Sequence, residues 1–493
     1  MEECEQREEE SHTYDEILKI IKTGELYTLR YFSGGLGKGK LVMGFLCYRC
    51  RVREMRLRVS SRHEVIYPGS RSTIAFPIKR KSSIRTTRII SYNFLVPGSL
   101  LQNVCPGLYS ESHGIVQNYM YDAEKEDLFL TAMHNNASHS HWWEDAEPIW
   151  VTAERGGAKT AMFWWDGCQV PIRGSRPALC KEYQNYWVWG GCQPRHPPGL
   201  PAGPRPLRED GLRPSYGHFK GPDSKERKQA LKDIDGILNF FQDEVEKRAM
   251  ENQVNLMVVS DHGMVATSPD TVRPINIEKA LDLDDIHLML DRGPLAMLLP
   301  KPGKIDKVYQ DLMAASFKGL QVFKKEDIPE KFHFKNHRLV LPILLLADEG
   351  YYINAISDHT KMKPFVERIF KGTHGYDPTV CESMRTVFYA RGPAFKSGVV
   401  SDSPLEMVDH YNMMARILGL EPKSNNGSWD RVRSMMNEEV LRLAAEERAR
   451  SQARNKRRRK GGRRKPSRRN AGDILQPVAL VFAMILGATI LHI

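Results

Sequence analysis

Hydrophobic residues recur through the central part of the chain at the spacings of strands and helices. Leu256 to Val259 is a continuous apolar run, which predicts a buried strand. Just upstream, apolar residues recur at helical spacing, at Leu231, Ile234, Leu238, Phe241 and Val245. Asp223, with Glu226 three residues later, predicts the N-cap of this helix. A helix that leads into a buried strand is typical of a doubly wound α/β sheet.

Other parts of the chain extend or interrupt this pattern. Further strands are predicted at Thr160–Trp165, Leu339–Leu346 and Thr386–Ala390, and a helix at Leu405–Leu418 that ends at Gly419. Residues 185–216 are rich in Pro and Gly, and residues 1–106 are heterogeneous and show no sustained period. We therefore expect an α/β domain over 107–436, with an atypical basic segment before it and an irregular insertion at 185–216.

The charge of the chain is concentrated near its C-terminal end. Of its 493 residues 41% are hydrophobic, which supports a substantial core, and the formal net charge is +12. Much of this charge lies in Arg448–Arg469, so residues 437–472 are predicted to be a charged, mostly basic linker. The basic run has no interleaved aromatic residues, which disfavours a nucleic-acid partner.

The two ends of the chain give conflicting signals about secretion. Residues 473–493 are predicted to be a hydrophobic anchor signal, because Leu475–Ile493 contains no Lys, Arg, Asp or Glu. A short membrane span and a buried C-terminal helix are the alternatives. Met1–Glu10 is acidic, and no apolar leader follows it. A secretory anchor without an entry signal indicates that the native start of the protein differs from this one.

Two short motifs indicate a metal site. Asp261-His262 follows the strand at Leu256–Val259, at the sheet edge where open α/β sheets bind ligands. Carboxylate and imidazole are suitable ligands for Zn²⁺, and His374 lies in a second turn of small residues. A surface histidine in a turn is the alternative for either motif taken alone.

Other local patterns indicate an extracellular protein or exclude a function. Cys168 and Cys180 bracket a short Pro- and Gly-bearing loop and could form a local disulfide. N-glycosylation sequons begin at Asn136 and Asn426. The pair Cys47 and Cys50 has no second pair to complete a zinc site. Gly34–Lys40 has P-loop spacing, but Leu41 follows it where Mg²⁺ binding needs Ser or Thr.

Six motifs occur in a fixed order and carry a family resemblance. They are His113–Tyr119, Glu147–Trp150, Ser260–Met264, Asp291–Pro294, Thr373–Tyr376 and Asn425–Trp429. With them, residues 107–182 and 217–436 resemble the ecto-nucleotide pyrophosphatase/phosphodiesterases of the alkaline-phosphatase superfamily. Within the family the chain is most similar to the choline-specific glycerophosphodiesterase branch, the sixth member, which is GPI-anchored. The resemblance implies an alkaline-phosphatase-like, doubly wound α/β sheet with helices on both faces.

The resemblance also implies two Zn²⁺ ions per active site. Two such ions clamp the attacking and leaving oxygens of a displacement at phosphorus, and a Ser or Thr hydroxyl attacks first. Asp261 and His262 match the ligands of the zinc that activates this hydroxyl, and His374 and His218 match ligands of the other zinc. Asn118 matches a residue that donates to a phosphate oxygen, and His374 also lies on the substrate side.

The chain departs from the family pattern in three respects. The family's first strand ends in a metal-binding Asp, and its nucleophile lies just upstream of the motif at His113; neither has a counterpart here. Pro214 stands where the family has another zinc-binding Asp, four residues before His218. The first strand therefore is predicted to be missing, and 185–216 to replace the strand that carries the second Asp.

The resemblance implies hydrolysis of glycerophosphocholine and lysophosphatidylcholine, with release of phosphocholine, at the outer face of the cell membrane. A homodimer is a further expectation. A choline pocket needs aromatic faces and a nearby anion, and the candidate aromatic residues are Trp142, Trp143, Tyr351 and Tyr352. Nucleotide pyrophosphatase activity is the close alternative. The departures favour exons assembled differently from those of an active enzyme, with a catalytically inactive membrane-anchored binding protein as the second interpretation.

Overall fold

The structure is a computed structural model, and only part of the chain is described below. The described residues are 39–45, 87–89, 106–130, 135–163, 165, 167–181, 216–267, 271–354, 371–401, 404–460 and 479–486. The pair Cys47 and Cys50, residue Pro214 and residues 185–215 of the Pro- and Gly-rich segment lie outside these ranges.

The strands are numbered in chain order. They are β1 (Gly39–Phe45), β2 (Thr87–Ile89), β3 (Tyr119–Asp122), β4 (Asp127–Leu130), β5 (Lys159–Phe163), β6 (Leu179–Lys181), β7 (Val254–Ser260), β8 (Val265–Ala266), β9 (Arg273–Asn276), β10 (Ile286–Leu290), β11 (Leu295–Pro300), β12 (Leu320–Lys324), β13 (Ile343–Ala347), β14 (Tyr351–Asn354), β15 (Gly372–Thr373), β16 (Thr386–Arg391) and β17 (Ala479–Leu486).

The helices connect these strands or flank the sheets. The α-helices are α1 (Ser110–His113), α2 (Ile149–Arg155), α3 (Tyr216–Lys220), α4 (Lys225–Lys247), α5 (Ile305–Ala315), α6 (Asp409–Ile417), α7 (Trp429–Arg433) and α8 (Glu438–Lys460). Short 3₁₀ helices span Asn135–Ser138, Ser140–Trp142, Ile277–Lys279, Leu283–Asp285, Lys325–Asp327, Glu330–Phe332 and Glu382–Met384.

A mixed seven-stranded sheet forms the centre of the fold. Its strand order is β2-β16-β7-β17-β1-β5-β6, and a second, four-stranded sheet has the order β10-β11-β13-β12. Every residue of β7 is buried, which explains its continuous apolar run. β7 pairs antiparallel with β16 and parallel with β17. The predicted α/β class and the buried strand before Asp261 are confirmed.

Most predicted elements are present with shifted ends. The predicted strands correspond to β5, β13 and β16, and the predicted late helix corresponds to the shorter α6. α4 begins one residue later than expected, because the side chain of Ser224 accepts a hydrogen bond from the backbone N–H of Arg227. The predicted N-cap at Asp223 is therefore wrong. The buried apolar face of α4, at Ile234, Leu238 and Phe241, packs in one cluster with the residues of β7.

The segment predicted as a basic linker begins with a long helix. α8 spans Glu438–Lys460, so 437–472 is not a linker over this part. Ala, Glu and Arg favour helices, and Arg442 and Glu446 form an ion pair one turn apart. Arg448 donates a hydrogen bond to the carbonyl of Leu418, which ties α8 to the body of the domain. The charged composition of the segment gave no indication of this packing.

Part of the predicted anchor signal pairs within the central sheet. β17 lies between β7 and β1, parallel to both, with Phe482 opposite Leu256. The alternative of a buried C-terminal helix is wrong for Ala479–Leu486, because these residues form a strand of the sheet. Among the described residues, none of the helices has the length and apolar character that crossing a membrane requires. The role of 473–493 as an anchor signal stays a prediction.

The loop between β5 and β6 is closed by the predicted disulfide. Cys168 and Cys180 are bonded, with Cα atoms 5.6 Å apart. Cys168 is fully buried, and the neighbouring Gly167 lies so close to the ring of Trp143 that a Cβ there would collide with it. The disulfide prediction is confirmed.

Candidate metal centre and active site

The end of β7 delivers Asp261 into a tight turn. Asp261 is fully buried, and its Oδ1 accepts a hydrogen bond from the backbone N–H of His262 at 2.9 Å. Gly263 follows, where a Cβ would collide with the carbonyl oxygen of Ser383. Only glycine allows this close approach, which explains why the Asp-His pair is followed by Gly.

A short strand pair brings His374 beside His262. β8 and β15 pair antiparallel, with Val265 opposite Thr373, so the residues that flank this pair meet. The imidazole rings of His262 and His374 stack with centroids 3.6 Å apart and planes 24° apart. Two motifs more than a hundred residues apart in sequence thus meet at one edge of the fold.

The same strand pair also positions His218. The backbone N–H of Lys371 donates to the carbonyl of His218 at 2.5 Å, and Gly372 lies against the backbone of Gly217. The Nδ1 of His218 donates to the carbonyl oxygen of Gly372 at 2.6 Å. A carbonyl can only accept, so this bond leaves the lone pair of the neutral ring on Nε2.

The four predicted ligands form two pairs of donor atoms. The Nε2 atoms of His218 and His374 are 3.2 Å apart, and the Oδ2 of Asp261 lies 3.5 Å from the Nε2 of His262. Two ligands of a tetrahedral zinc with bonds of about 2.05 Å stand about 3.3 Å apart. Each pair therefore has the spacing of two ligands on one ion. The pairs are those that the resemblance assigns to separate zinc ions, and the ligand roles stay predictions.

Neither pair is a complete zinc site within the described part of the chain. Three donors from this set do not all lie within 4.8 Å of one another there. In the sheet, the backbone of Leu486 at the end of β17 pairs with Ser260, next to Asp261. That the family's first strand is missing stays a prediction.

Burial keeps His218 neutral at physiological pH. Desolvation, which outweighs the opposing hydrogen bond to Gly372, and the neighbouring His262 together lower its pKa to about 4. A neutral imidazole is the form that binds metal ions. Zinc therefore displaces no proton from this ring at neutral pH.

The remaining predicted site residues are spread over the surface and the edge of the site. Asn118 is half-buried in the bend directly before β3, and its phosphate-binding role stays a prediction. Asn426 is exposed, as glycosylation requires, although its side-chain oxygen accepts a hydrogen bond from the backbone of Tyr109 at 3.1 Å. The backbone of Asn136 lies in a 3₁₀ helix, and its side chain lies outside the described part of the structure.

For two of the four aromatic residues that were candidates for binding choline, the prediction is wrong. Trp142 is 1% exposed and Trp143 5% exposed, and both pack against Phe129 in the core. Their rings therefore have no open face for a ligand. The double Trp was predicted to lie in an aromatic loop, but long-range packing against Phe129 buries both rings.

An anionic group beside two tyrosines was missed from the sequence. Burial and then the charge of Asp291 raise the pKa values of both Tyr119 and Tyr352 to about 12. Burial raises the pKa of Asp291 itself to about 6. Asp291 belongs to a motif of the family resemblance, which marked its importance but gave it no role.

This group borders the paired histidines. A Cβ added to Gly375 would contact the ring of Pro294 at 3.5 Å, so the loop after His374 lies against the loop after Asp291. The hydroxyl of Tyr376 donates to the carbonyl of Tyr351 at 2.7 Å. The loop after Asp291 and the loop after His374 therefore contact each other beside the paired histidines.

A family profile matches this part of the chain. The profile described as type I phosphodiesterase/nucleotide pyrophosphatase matches residues 105–195 and 215–377. Both ranges include predicted site residues, among them Asn118, Asp261 and His374.

Curated relatives share about a third of their residues with the chain. The mouse (Mus musculus) ectonucleotide pyrophosphatase/phosphodiesterase family member 7 is 31% identical over 348 residues, 67% of this chain and 75% of the relative. The human (Homo sapiens) family member 5 is 32% identical over 347 residues, 68% of each chain. A bis(5'-adenosyl)-triphosphatase of Bos taurus is 33% identical over 346 residues, 68% of this chain and 71% of the relative. None of these three is the sixth member, so the special likeness to the choline-specific branch stays a prediction.

Solved structures of relatives confirm the fold. Human family member 5 superposes with a TM-score of 0.61 at 26% identity, covering 81% of this chain and 100% of that one. An inactive variant of the murine family member 5, in complex with AMP, gives the same TM-score at 27% identity and the same coverage. The chain therefore has the alkaline-phosphatase-like α/β fold of these relatives.

Proposed function

Because the chain belongs to the type I phosphodiesterase/nucleotide pyrophosphatase family, whose members are phosphoric diester hydrolases, we propose that it is a zinc-dependent glycerophosphodiesterase. Its substrates are glycerophosphocholine and lysophosphatidylcholine, and the product is phosphocholine. The observation that carries the proposal is the arrangement of Asp261, His262, His374 and His218 as two donor pairs with ligand-like spacing. Zinc held there would supply positive charge to the phosphodiester oxygens.

The choline specificity is supported by the anionic group at Asp291. A quaternary ammonium binds aromatic faces near a negative charge, and the ring of Tyr352 lies against Gly293, two residues after Asp291. Tyr119 directly follows Asn118, so an ammonium at Asp291 would lie next to a group that receives the phosphate. A phosphocholine group has these two charges at its ends.

Nucleotide hydrolysis is the second candidate. It is favoured by the relatives, since one is a bis(5'-adenosyl)-triphosphatase and one solved structure of a relative holds AMP. In that case an aromatic residue of the site would stack on a nucleotide base instead of binding the quaternary ammonium of choline.

The missing nucleophile affects the rate more than the binding. No Ser or Thr stands between Gln102 and Gly107, just upstream of the motif at His113. Loss of the attacking group removes most of the rate enhancement in assemblies of this type, while binding contacts survive. We therefore expect this exact chain to turn over several orders of magnitude more slowly than a relative with the nucleophile.

We place the protein at the extracellular side of the cell membrane. The disulfide between Cys168 and Cys180 needs an oxidising compartment, and the exposed sequon at Asn426 is compatible with glycosylation there. Residues 473–493 would provide a GPI anchor signal, in which case β17 is absent from the mature protein. A homodimer remains part of the proposal.

The decisive assay offers zinc-loaded full chain three substrates. Glycerophosphocholine, lysophosphatidylcholine and diadenosine triphosphate are incubated separately, and phosphocholine and AMP are measured by mass spectrometry over long times. His374→Ala tests dependence on the paired site. His287→Gln is the matched control, because His287 is an exposed histidine on β10, outside the paired site.

Each outcome decides between the candidates. Slow phosphocholine release that disappears in His374→Ala and persists in His287→Gln supports the proposal. AMP release without phosphocholine supports the nucleotide function. Zinc binding with no product from any substrate means that the chain is an inactive binding protein.

A further inference from the structure

A second group of metal-binding side chains lies away from the paired histidines. Asp127 begins β4, His139 precedes a 3₁₀ helix and His141 lies inside it. One donor atom from each of the three residues lies within 4.8 Å of the other two. The Oδ2 of Asp127 is 2.9 Å from the Nδ1 of His139 and 3.4 Å from the Nε2 of His141.

The backbone around these donors is fixed by buried aromatic residues. Phe129, two residues after Asp127, contacts the ring of Trp142 edge-on with centroids 5.5 Å apart. Trp143 packs against the same Phe129, and its indole N–H donates to the carbonyl of Ala137 at 2.8 Å. The strand that carries Asp127 and the segment that carries His139 and His141 therefore cannot separate without disrupting the core.

The carboxylate is oriented with one oxygen towards both rings. The Oδ1 of Asp127 accepts the backbone N–H of Leu128 at 2.9 Å, which leaves Oδ2 facing His139 and His141. The neighbouring carboxylate, Asp122, is held by Arg338 at 2.7 Å. The set therefore consists of one carboxylate oxygen and two ring nitrogens.

The buried Nε2 of His141 adds an independent indication. Among the described residues it has no hydrogen-bond partner, although it is shielded from solvent and lies 3.4 Å from the Asp127 oxygen. The two atoms therefore have the spacing of adjacent metal ligands without the geometry of a hydrogen bond.

We propose that Asp127, His139 and His141 bind a divalent metal ion of the zinc type, with solvent as the fourth ligand. Two imidazoles and one carboxylate suit zinc and related transition metals, whereas Ca²⁺ and Mg²⁺ prefer all-oxygen sites. The 3.4 Å separation matches the roughly 3.3 Å between two ligands of a tetrahedral zinc, and the 2.9 Å contact is a hydrogen bond between His139 and Asp127 that metal binding would replace.

The ion would join two segments that are otherwise linked by packing and by the hydrogen bond between His139 and Asp127. β3 and β4 form a hairpin that begins one residue after Asn118, and the histidines lie on the following loop. Metal binding would therefore stiffen the hairpin that leads out of Asn118. The site requires none of the paired donors at His218 and His374, so it stands or falls independently of the proposed function.

The test measures bound zinc per full-length chain after dialysis, together with the zinc-induced shift in melting temperature. His139→Gln is the main variant, because His139 is half-exposed and its replacement does not disturb the core. Asp127→Asn keeps the shape of the carboxylate and removes its charge. His287→Gln is again the exposed-histidine control.

We expect both variants to bind one zinc fewer per chain than wild type, and to lose part of the zinc-induced thermal shift. His287→Gln should match wild type in both measurements. If His139→Gln and Asp127→Asn are folded and retain the wild-type zinc content and shift, the site does not exist. A zinc deficit in His374→Ala alone would locate all bound zinc at the paired site and would also refute the inference.

Discussion

Removing the disulfide between Cys168 and Cys180 tests how much this bond stabilises the fold. The double substitution Cys168→Ala and Cys180→Ala reopens a loop whose ends are 12 residues apart. The chain-entropy estimate for a loop of this length gives about 3 kcal/mol at 25 °C. We therefore expect the free energy of unfolding to fall by about this amount.

Urea unfolding followed by tryptophan fluorescence measures the effect, with and without a phosphine reductant. The reductant should destabilise wild type by about 3 kcal/mol and leave the double variant nearly unchanged. Cys381→Ala is the matched control, because Cys381 is a buried cysteine outside the loop. It should remain sensitive to the reductant. Wild-type protein that is insensitive to reduction, with both thiols open to alkylation, would refute the reasoning.

Three further predictions follow from single groups. Asp409→Asn should lower the free energy of unfolding by about 3 kcal/mol in urea titrations, because fully buried Asp409 accepts two hydrogen bonds from Arg431; zinc content should not change. Gly263→Ala should cost about 2 kcal/mol and reduce zinc binding, because the new Cβ collides with Ser383; normal zinc content would contradict this. Burial lowers the pKa of His113 to about 3, so only the unfolded chain takes up this proton below about pH 6.5, and stability should fall from there towards pH 3. His113→Gln should flatten that decline in thermal melts across this range.

The local pattern of the chain predicted the elements that the sheet buries completely. β7 was predictable because its centre, Leu256–Val259, is a continuous apolar run, and a turn at Gly263 was predictable because glycine permits close backbone approach. The ends of helices were less predictable, since the capping hydrogen bond of Ser224 depends on a single side-chain rotamer.

Long-range pairing accounts for what the sequence concealed. Nothing local indicates that His262 stacks on His374, because β8 and β15 are only two residues long. The position of β17 beside β7 was equally hidden, since an apolar run without charges satisfies a membrane and a sheet centre alike. The group at Asp291 required the fold itself, because Tyr119 and Tyr352 are far from it in sequence.

The cluster at Asp127 shows the same limit in a different form. His139 and His141 are separated by one residue, but the carboxylate that faces them lies on β4 and is positioned by the packing of Phe129. Two histidines separated by one residue are too common in sequences to predict a metal site unless the third donor is also known.

Anomalous diffraction at the zinc edge from crystals of the zinc-loaded full chain tests the central claim most directly. The account predicts a peak about 2.0–2.1 Å from the Nε2 atoms of both His218 and His374, and a second peak bound to Asp261 and His262. Ordered imidazoles at these four positions with no anomalous density between them would contradict it.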